Sequence, residues 1–500
     1  MKLLFSQSKA LFAGFLLASQ VNVHAQNDAS AKSTPLINFQ PERKIDNIEY
    51  LMAASAERNQ GKLSHQQLPK HFWIKGLNKG ATLSWQVKSK TTTDYHVDAL
   101  LSAKAGTTFT LKAQDSQGRF ATTTVKKSLD GWDKQDCKTL RVPAGLSTIT
   151  LTVESDSKVD LKSLELIRKS DYAAQQKRVA DFRADSTWFA QSKYGIMMQY
   201  GTWSYPRKGP QRDKEAMAND FNVPAFVSQM KEMGAGYVVF SVTWWDYAFM
   251  APMESVDTIV GHSKNTTKRD LLGDLTKGLQ EADIPVFFYY HMGQAGHKGG
   301  KTDWWQAQQF PSQQYTQTGQ GDRSVFFKNW ESVVSEIGNR YGKNLDGWFF
   351  DDGLCYYPAP FERLGKAAKA GNPDRLISYN PWIVSRYTEF QEVEFGEGHY
   401  FKAKHGTAAA DGDGIWTAGK AKGLLQHGMF TMDGGWGVNK ANMSAKPKLS
   451  PSDLVSMIKK ASKHNSPLSI NLLMWDSDTG DYFDPESFQV MKEVKKAIRD

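Results

Sequence analysis

The sequence predicts an α/β chain: a (β/α)8 barrel of the TIM type, preceded by an all-β sandwich. Three observations carry that prediction. From about residue 193 to the C-terminus, eight short apolar runs are mostly separated by amphipathic stretches. From about residue 72 to 168 the periodicity is two, in short segments divided by turn residues. The third is Leu345–Gly353, where Trp348, Phe349 and Phe350 run directly into Asp351 and Asp352. An apolar run bounded by turn residues reads as a strand buried on both faces. Carboxylates at its C-terminal end are costly unless something uses them, and that end is where barrels carry their chemistry.

The chain begins with the pattern of a secretory signal peptide over residues 1–25. Lys2 and Lys9 flank an apolar core, Ala10–Ala18, that is too short to span a bilayer. Val23-His24-Ala25 then offers small residues at a cleavage site, with the cut near Ala25. Export to the periplasm or beyond the cell is the expectation. No later run reaches about 18 apolar residues, so no membrane contact is expected of the mature chain. Residues 26–60 read as leader and linker, polar and Pro-containing at the start.

Composition excludes some partners and leaves others. The net charge of +9 is spread over scattered lysines, without a like-charge block or a nucleic-acid motif, so no nucleic acid is expected. A polyanionic glycan stays open. The 15 Trp, 18 Tyr and 27 Phe suit the apolar C–H faces of sugars as well as large cores. Cys137 and Cys355 fall in different segments, so neither a disulfide nor a thiol nucleophile is expected. Asp476–Asp481 and Asp411–Gly414 resemble fragments of a calcium loop. The first puts Ser487 where the bidentate glutamate belongs. Both read as turns, and no metal or cofactor is expected.

In chain order, residues 61–168 form the sandwich, with alternating segments Ala81–Val87, Thr107–Lys112, Thr122–Lys126 and Ser147–Val153. Leu140 to Ile167 resembles the closing strands of galactose-binding-like jelly rolls and carbohydrate-binding modules. Residues 169–192 change character and read as one linker helix over Asp171–Gln191. The barrel, 193–500, has its strands at Tyr194–Tyr200, Gly236–Thr243, Pro285–His291, Leu345 onward, Arg375–Asn380, Glu392–Gly396, His427–Met432 and Pro467–Leu473. Helices fall at Val223–Met233, closed by Gly234, and at Arg269–Ala282 and Val325–Tyr341. Two more open at Ser450-Pro451 and at Pro485. Around strands five to seven the helical pattern is weak.

The strand ends converge chemically. They carry Gln199; Trp244, Trp245 and Asp246; His291; Asp351 and Asp352; Asn380 and Trp382; Glu397 and His399; Asp433 and Trp436; Asn471 and Trp475. Tyr200 and Trp203 lie beside the first. Amides and carboxylates bind hydroxyls in pairs, and aromatic faces stack on sugar rings. Glycoside hydrolysis needs two carboxyl groups across the scissile bond. Asp351 and Glu397 are the best-placed pair. Asp352 reads as a loop-capping neighbour, and Glu392 and Glu394 as partners of surface lysines.

Several pieces, in order, carry a family resemblance: Lys193–Met197, Met230–Val239, Lys268–Leu275, Trp348–Gly353, Gly434–Asn439 and Asn465–Leu472. From about Trp188 to Asp500 the chain resembles glycoside hydrolase family 29, the α-L-fucosidases. The resemblance implies a retaining enzyme without cofactor, with Asp351 as nucleophile and Asp352 as the alternative register. It implies Glu397 as acid/base. The departures are as informative. Gln199-Tyr200-Gly201 stands where the family has His-Trp-Gly, and Trp244-Trp245-Asp246 where it has His-His-Asp. Asn380-Pro381-Trp382 replaces its arginine. Gln199, Tyr200, Trp203, Trp244, Trp245, Asp246, Asn380, Trp382 and Trp436 are therefore expected to bind a different glycone, or bind it differently. The related endo-acting fucanases share the barrel and keep His291 and His399 as alternative acids. The expectation is an exported hydrolase of fucose-like, deoxy or acidic sugar linkages in oligo- or polysaccharide, sulfated polymers included. Its alternatives are an endo-acting enzyme and an inactive glycan-binding barrel.

Overall fold

The computed structural model describes residues 35–39, 46–66, 71–244, 247–291, 303–307, 313–351, 357–380, 384, 386–397, 414–417 and 420–500. The signal peptide, Trp245, Asp246, Asp352, Cys355, Trp382, His399 and the turn aspartates Asp411 and Asp413 lie outside the described residues.

Twelve strands build two sheets. They are β1 (Ile37–Phe39), β2 (Ile48–Met52), β3 (Glu57–Arg58), β4 (Lys62–Gln66), β5 (His71–Leu77) and β6 (Thr82–Ser89). After them come β7 (Thr93–Ala103), β8 (Thr108–Asp115), β9 (Phe120–Lys126), β10 (Gly131–Val142), β11 (Gly145–Val153) and β12 (Val159–Arg168). One sheet runs β1-β6-β11-β8-β9 with β3 also on β6; the other runs β10-β7-β12-β5-β4 with β2 also on β12. A single apolar core collects inward residues of both, among them Trp85, Leu111 and Ile149 from the first and Val97, Leu101 and Leu166 from the second. The sheets therefore begin well before residue 61. Residues 37–58, read as leader and linker, supply three of their strands, because Ile37 pairs with Val87 and Leu51 with Leu164. Those strands are too short to show a period of their own.

The second sheet is apolar on its other face too. Tyr50, Met52, Leu100, Trp132 and Ile167 join a cluster made mostly of barrel residues. That explains the unbroken buried runs of β2, of Tyr95–Leu101 in β7 and of Leu161–Ile167 in β12, where one-sided sheets alternate. Cys137 is buried in the sandwich core, and burial pushes its thiol up.

The predicted linker helix is two helices. α1 (Lys169–Phe182) stops at extended Arg183, and α2 (Thr187–Gln191) begins after Asp185 has accepted bonds from the backbone N–H and hydroxyl of Thr187. Such a local side-chain bond competes with helix continuation. It also aims α2 into the barrel floor, where Phe189 packs on Tyr237 and Phe287.

Eight parallel strands close the barrel in sequence order. They are β13 (Tyr194–Met198), β14 (Val238–Thr243), β15 (Val286–His291), β16 (Gly347–Asp351), β17 (Leu376–Tyr379), β18 (Val393–Glu397), β19 (Leu425–Thr431) and β20 (Leu468–Asn471). The helices around them are α3 (Lys214–Asp220), α4 (Val223–Glu232), α5 (Glu254–Val260), α6 (Leu271–Gln280), α7 (Asp303–Ala307) and α8 (Gln313–Thr318). The later ones are α9 (Ser324–Tyr341), α10 (Phe361–Ala368), α11 (Pro451–Ser462) and α12 (Pro485–Ile498). Among the described residues no helix separates β17 from β18 or β18 from β19. No helix there is long and apolar enough to cross a membrane.

Period two splits each strand. Met197, Tyr237, Val239, Phe287, Tyr289, Phe349 and Met429 fill the barrel interior, while Ile196, Val238, Phe240, Phe288, Trp348 and Phe350 face the helices. The interior is crowded enough to dictate a glycine. A Cβ at Gly347 would lie 2.1 Å from the ring of Phe287.

One buried cation in the sandwich gives a pH signature. Lys162 is fully buried, donates to the Phe72 carbonyl at 2.8 Å, and is pushed by burial down to about 7. An unfolded lysine titrates near ~10.4. Below pH 7 both states hold the proton, and the folded state bears the cost of a buried charge. Between the two values only the unfolded state holds it, so this group makes stability rise with pH. Lys162→Met is expected to flatten the rise, measured as thermal midpoints at pH 6 and pH 9. Identical pH slopes in the two proteins would contradict it.

Candidate active site

The interior positions continue upward to the C-terminal rim. Counting in twos from the interior residues leads to Gln199, His291, Asp351, Asn380, Glu397 and Asn471. These are the side chains that alternation places in the mouth.

Asp351 closes β16 and is half-buried. Its Oδ2 accepts from the hydroxyl of Tyr289, and its Oδ1 accepts from Asn380 Nδ2 at 2.8 Å. The same Asn380 nitrogen donates to Glu397 Oε2 at 2.8 Å. One amide thus joins both candidate carboxylates, each receiving one of its two protons. Two such bonds on one nitrogen hold the acceptor oxygens within about 5.6 Å of each other. Asn380 itself is buried, so its orientation is set by its surroundings. The sequence reading puts Asn380 on the sugar. In the structure its donor group bonds the two acids.

His291 is 3% exposed and pairs in register with Asp351 on the neighbouring strand. Its carbonyl accepts from Thr243 Oγ1 at 2.8 Å, which ties the ends of β14 and β15 together. Below the rim, His427 bonds to Ser469, and burial pushes it down to about 3. It is a neutral interior imidazole at working pH.

Across the mouth from Asp351 is an uncharged, aromatic corner. Gln199 bridges to Gly437, and a Cβ on Gly437 would meet the Trp244 ring at 2.8 Å. Trp203 meets Trp244 edge-on with centroids 5.9 Å apart. Trp436 packs on the same interior cluster as Trp244. Asn471 Nδ2 donates to the carbonyls of Gly435 and Trp436, both at 3.0 Å. Among the described residues, Gln199 Oε1, Asn471 Oδ1 and Trp203 Nε1 are buried without hydrogen-bond partners. Orphaned polar atoms of this kind are uncommon in native interiors. In a barrel mouth, they suit hydroxyls.

Several expectations are corrected. Tyr200 turns out of the barrel: its ring lies against Phe221, and its hydroxyl donates to Asp476 at 3.0 Å. Parity explains this, since Gln199 points inward and its neighbour cannot. Arg212 completes that outer cluster with a bidentate grip on Asp476, the first carboxylate of the Asp476–Asp481 turn. Glu392 and Glu394 are not surface partners. Glu392 is buried and receives Lys369 and the backbone of Ala184 and Ile377; Glu394 receives Arg386 and the Trp416 indole. Asp433 also faces outward, accepting from Leu473 N and Ser487 Oγ. One residue escapes the sequence reading. Tyr289 lies two before His291, so strand parity puts it on the same face. Asn471, already named at the end of its strand, is found at the mouth.

Residues 211–394 match the family model described as Alpha-L-fucosidase. That span holds His291, Asp351 and Asn380 and ends three residues before Glu397. No curated protein matches the chain. Among solved structures, alpha-L-fucosidase isoenzyme 1 from Paenibacillus thiaminolyticus is similar, at 19% identity and TM-score 0.46 over 63% of this chain and 75% of its own. Alpha-L-fucosidase AlfC from Lactobacillus casei, in complex with its alpha-L-fucose product, aligns at 15% identity and TM-score 0.43, over 62% and 98%. The endo-fucoidan hydrolase MfFcnA4 of glycoside hydrolase family 107 aligns at 14% identity and TM-score 0.46, over 62% and 53%.

Proposed function

Because residues 211–394 match the alpha-L-fucosidase family, we propose that this protein is an exported, retaining glycoside hydrolase of α-L-fucoside or related deoxy or acidic sugar linkages. Asp351 is the nucleophile and Glu397 the acid/base. The observation that carries this reading is the Asn380 amide shared by the two carboxylates. Retaining enzymes hold their carboxyls ~5–5.5 Å apart, whereas inverting ones leave ~6.5–9.5 Å for a water. A limit of about 5.6 Å between the bonded oxygens favours the first class.

In the first step Asp351 Oδ attacks the anomeric carbon while the bond to the aglycone oxygen breaks. Glu397 delivers its proton to that oxygen. In the second, Glu397 takes a proton from water, and the water oxygen displaces Asp351 from the same carbon. Tyr289 and Asn380 keep the attacking carboxylate aimed throughout. Trp244 and Trp436 supply ring-stacking walls, and Gln199 and Asn471 offer acceptors to sugar hydroxyls. The scattered positive charge favours sulfated polymers as the source of the linkage.

The test is hydrolysis of 4-nitrophenyl α-L-fucopyranoside, fucans and mucin-type glycans, with the anomer of the first-formed sugar followed by NMR. Retained configuration is expected. Inverted product would sink the nucleophile assignment. Glycan binding without turnover, and without labelling by a 2-fluoro glycosyl fluoride, would leave a binding barrel. The register of His291 beside Asp351 favours a second reading, endo-action with histidine as acid, which releases oligomers rather than monosaccharide.

A further inference from the structure

The segments that follow three successive barrel strands all land on one face of the sandwich. After β16, which ends in Asp351, Tyr357 donates to Glu165 at 2.6 Å and shares a 2.7 Å bond with Ser163, both on β12. After β17 and Asn380, Arg386 donates to Asp133 on β10 at 2.9 Å and also engages Glu389 and Glu394. Glu389 lies 3.5 Å from Lys134, which bonds Glu165 at 2.9 Å. Between β18, which ends in Glu397, and β19, Lys420 donates to Asp98 and lies 3.3 Å from His96, both on β7. Strands β10, β7 and β12 are neighbours in one sheet.

These are interior contacts. The side chain of Arg386 is 2% exposed, those of Lys134 and Glu165 4% and 3%, and those of Lys420 and Asp98 12% and 5%. His96, Asp98 and Asp136 gather oxygen and nitrogen atoms within 4.8 Å, as a metal site would. Here the barrel's own ammonium enters that group. A buried charge that loses its partner is strongly unfavourable, so the Asp133–Arg386 and Asp98–Lys420 pairs fix the barrel segments that carry their cations.

We propose that the sandwich is a positioning part of the catalytic apparatus: through Asp98, Asp133 and Glu165 it clamps the segments behind Asp351, Asn380 and Glu397. In this role it holds the two acids in register rather than recruiting glycan. The kinetic part rests on the reading of Asp351 and Glu397 given above; the structural part does not.

The experiment uses Asp98→Asn and Asp133→Asn in the full chain, with Leu151→Ala as a sandwich-core control outside the clamp. Backbone hydrogen exchange is read over residues 386–397 and 420–431. Each clamp variant is expected to speed exchange there at least tenfold while β13–β15 keep their protection. Leu151→Ala should leave those segments unchanged. On whichever substrate the wild type cleaves, kcat should fall at least tenfold with KM within threefold, and Asp98→Glu should recover part of it. If a clamp variant fails to fold, Ser163→Ala removes only one partner of Tyr357 and should speed exchange over 357–361. Unchanged exchange in the clamp variants, or an equal effect from Leu151→Ala, would overturn the proposal. Faster local exchange with wild-type kcat would overturn the kinetic part alone. A wild type with no glycosidase activity would sink the catalytic reading and leave the exchange result to judge the clamp.

Discussion

Asp351→Ala is expected to lower kcat at least about 10³-fold on every linkage the wild type cleaves, because removing a covalent nucleophile abolishes the route itself. Alanine is preferred to asparagine here. The Asp351→Asn change would turn an amide group toward the Tyr289 hydroxyl and the Asn380 amide, both of which now donate to a carboxylate. The space vacated by alanine suggests the decisive control. With an activated aryl fucoside, added azide should attack the anomeric carbon from the side Asp351 occupied, as the carbon–oxygen bond breaks, and yield a glycosyl azide of inverted configuration. Glu397→Ala should behave differently. It should lose about 10²–10⁴-fold on substrates that need leaving-group protonation, and far less on activated ones in the first step. If Asp351→Ala retains activity within tenfold while a change at Asp352 abolishes it, the nucleophile is the second aspartate of the pair.

Arg375→Met is expected to cost about 3–5 kcal/mol of stability: hydrogen bonds from a charged donor, worth about 1.5–3 kcal/mol each, are lost, and relief of the guanidinium's desolvation offsets part of the sum. Arg375 is fully buried at the entrance to β17, and burial pushes its guanidinium down to about 10, so it stays charged at neutral pH. Its nitrogens reach five carbonyls: Nε to Leu345, Nη1 to Ala368 and Ala370, and Nη2 to Gly338 and Gly342. Four of those carbonyls belong to the C-terminal turns of α9 and α10 or the residues just past them, where helical donors run out; Gly338 also accepts from Gly342 N and Ala368 from the Trp348 indole. Methionine fills much of the volume and satisfies none of them. Lysine, with a single compact head group, reaches only part of the set. Denaturant unfolding measures the loss, and a change below about 1 kcal/mol would show that the carbonyls find other partners. The consequence also reaches function, since β17 delivers Asn380.

Much of the architecture is legible in the chain itself. The apolar runs of β13 to β20, with the glycine and proline punctuation of their helices, supply the barrel's count. Asp351 and Glu397 stand out because each ends a buried strand. Tyr289 is legible in principle, through the parity it shares with His291. Tyr200 is legible too once strand parity is carried past the last regular residue of β13, which turns it away from the mouth. The strands at 37–58 are hidden for another reason: two to five residues cannot display a period, and their partners lie up to 119 positions away, as for Ile48 and Ile167.

Local period and composition thus mark which barrel segments are strands, which face of each is apolar, and that Asp351 and Glu397 stand at strand ends. Only the assembled fold decides that one asparagine amide joins Asp351 to Glu397. It alone brings Asp133 to Arg386 across 253 positions, and Asp98 to Lys420 across 322. No local pattern encodes such pairs. They exist because burying a charge is tolerable only beside its opposite, and only the packed surfaces bring the opposites together.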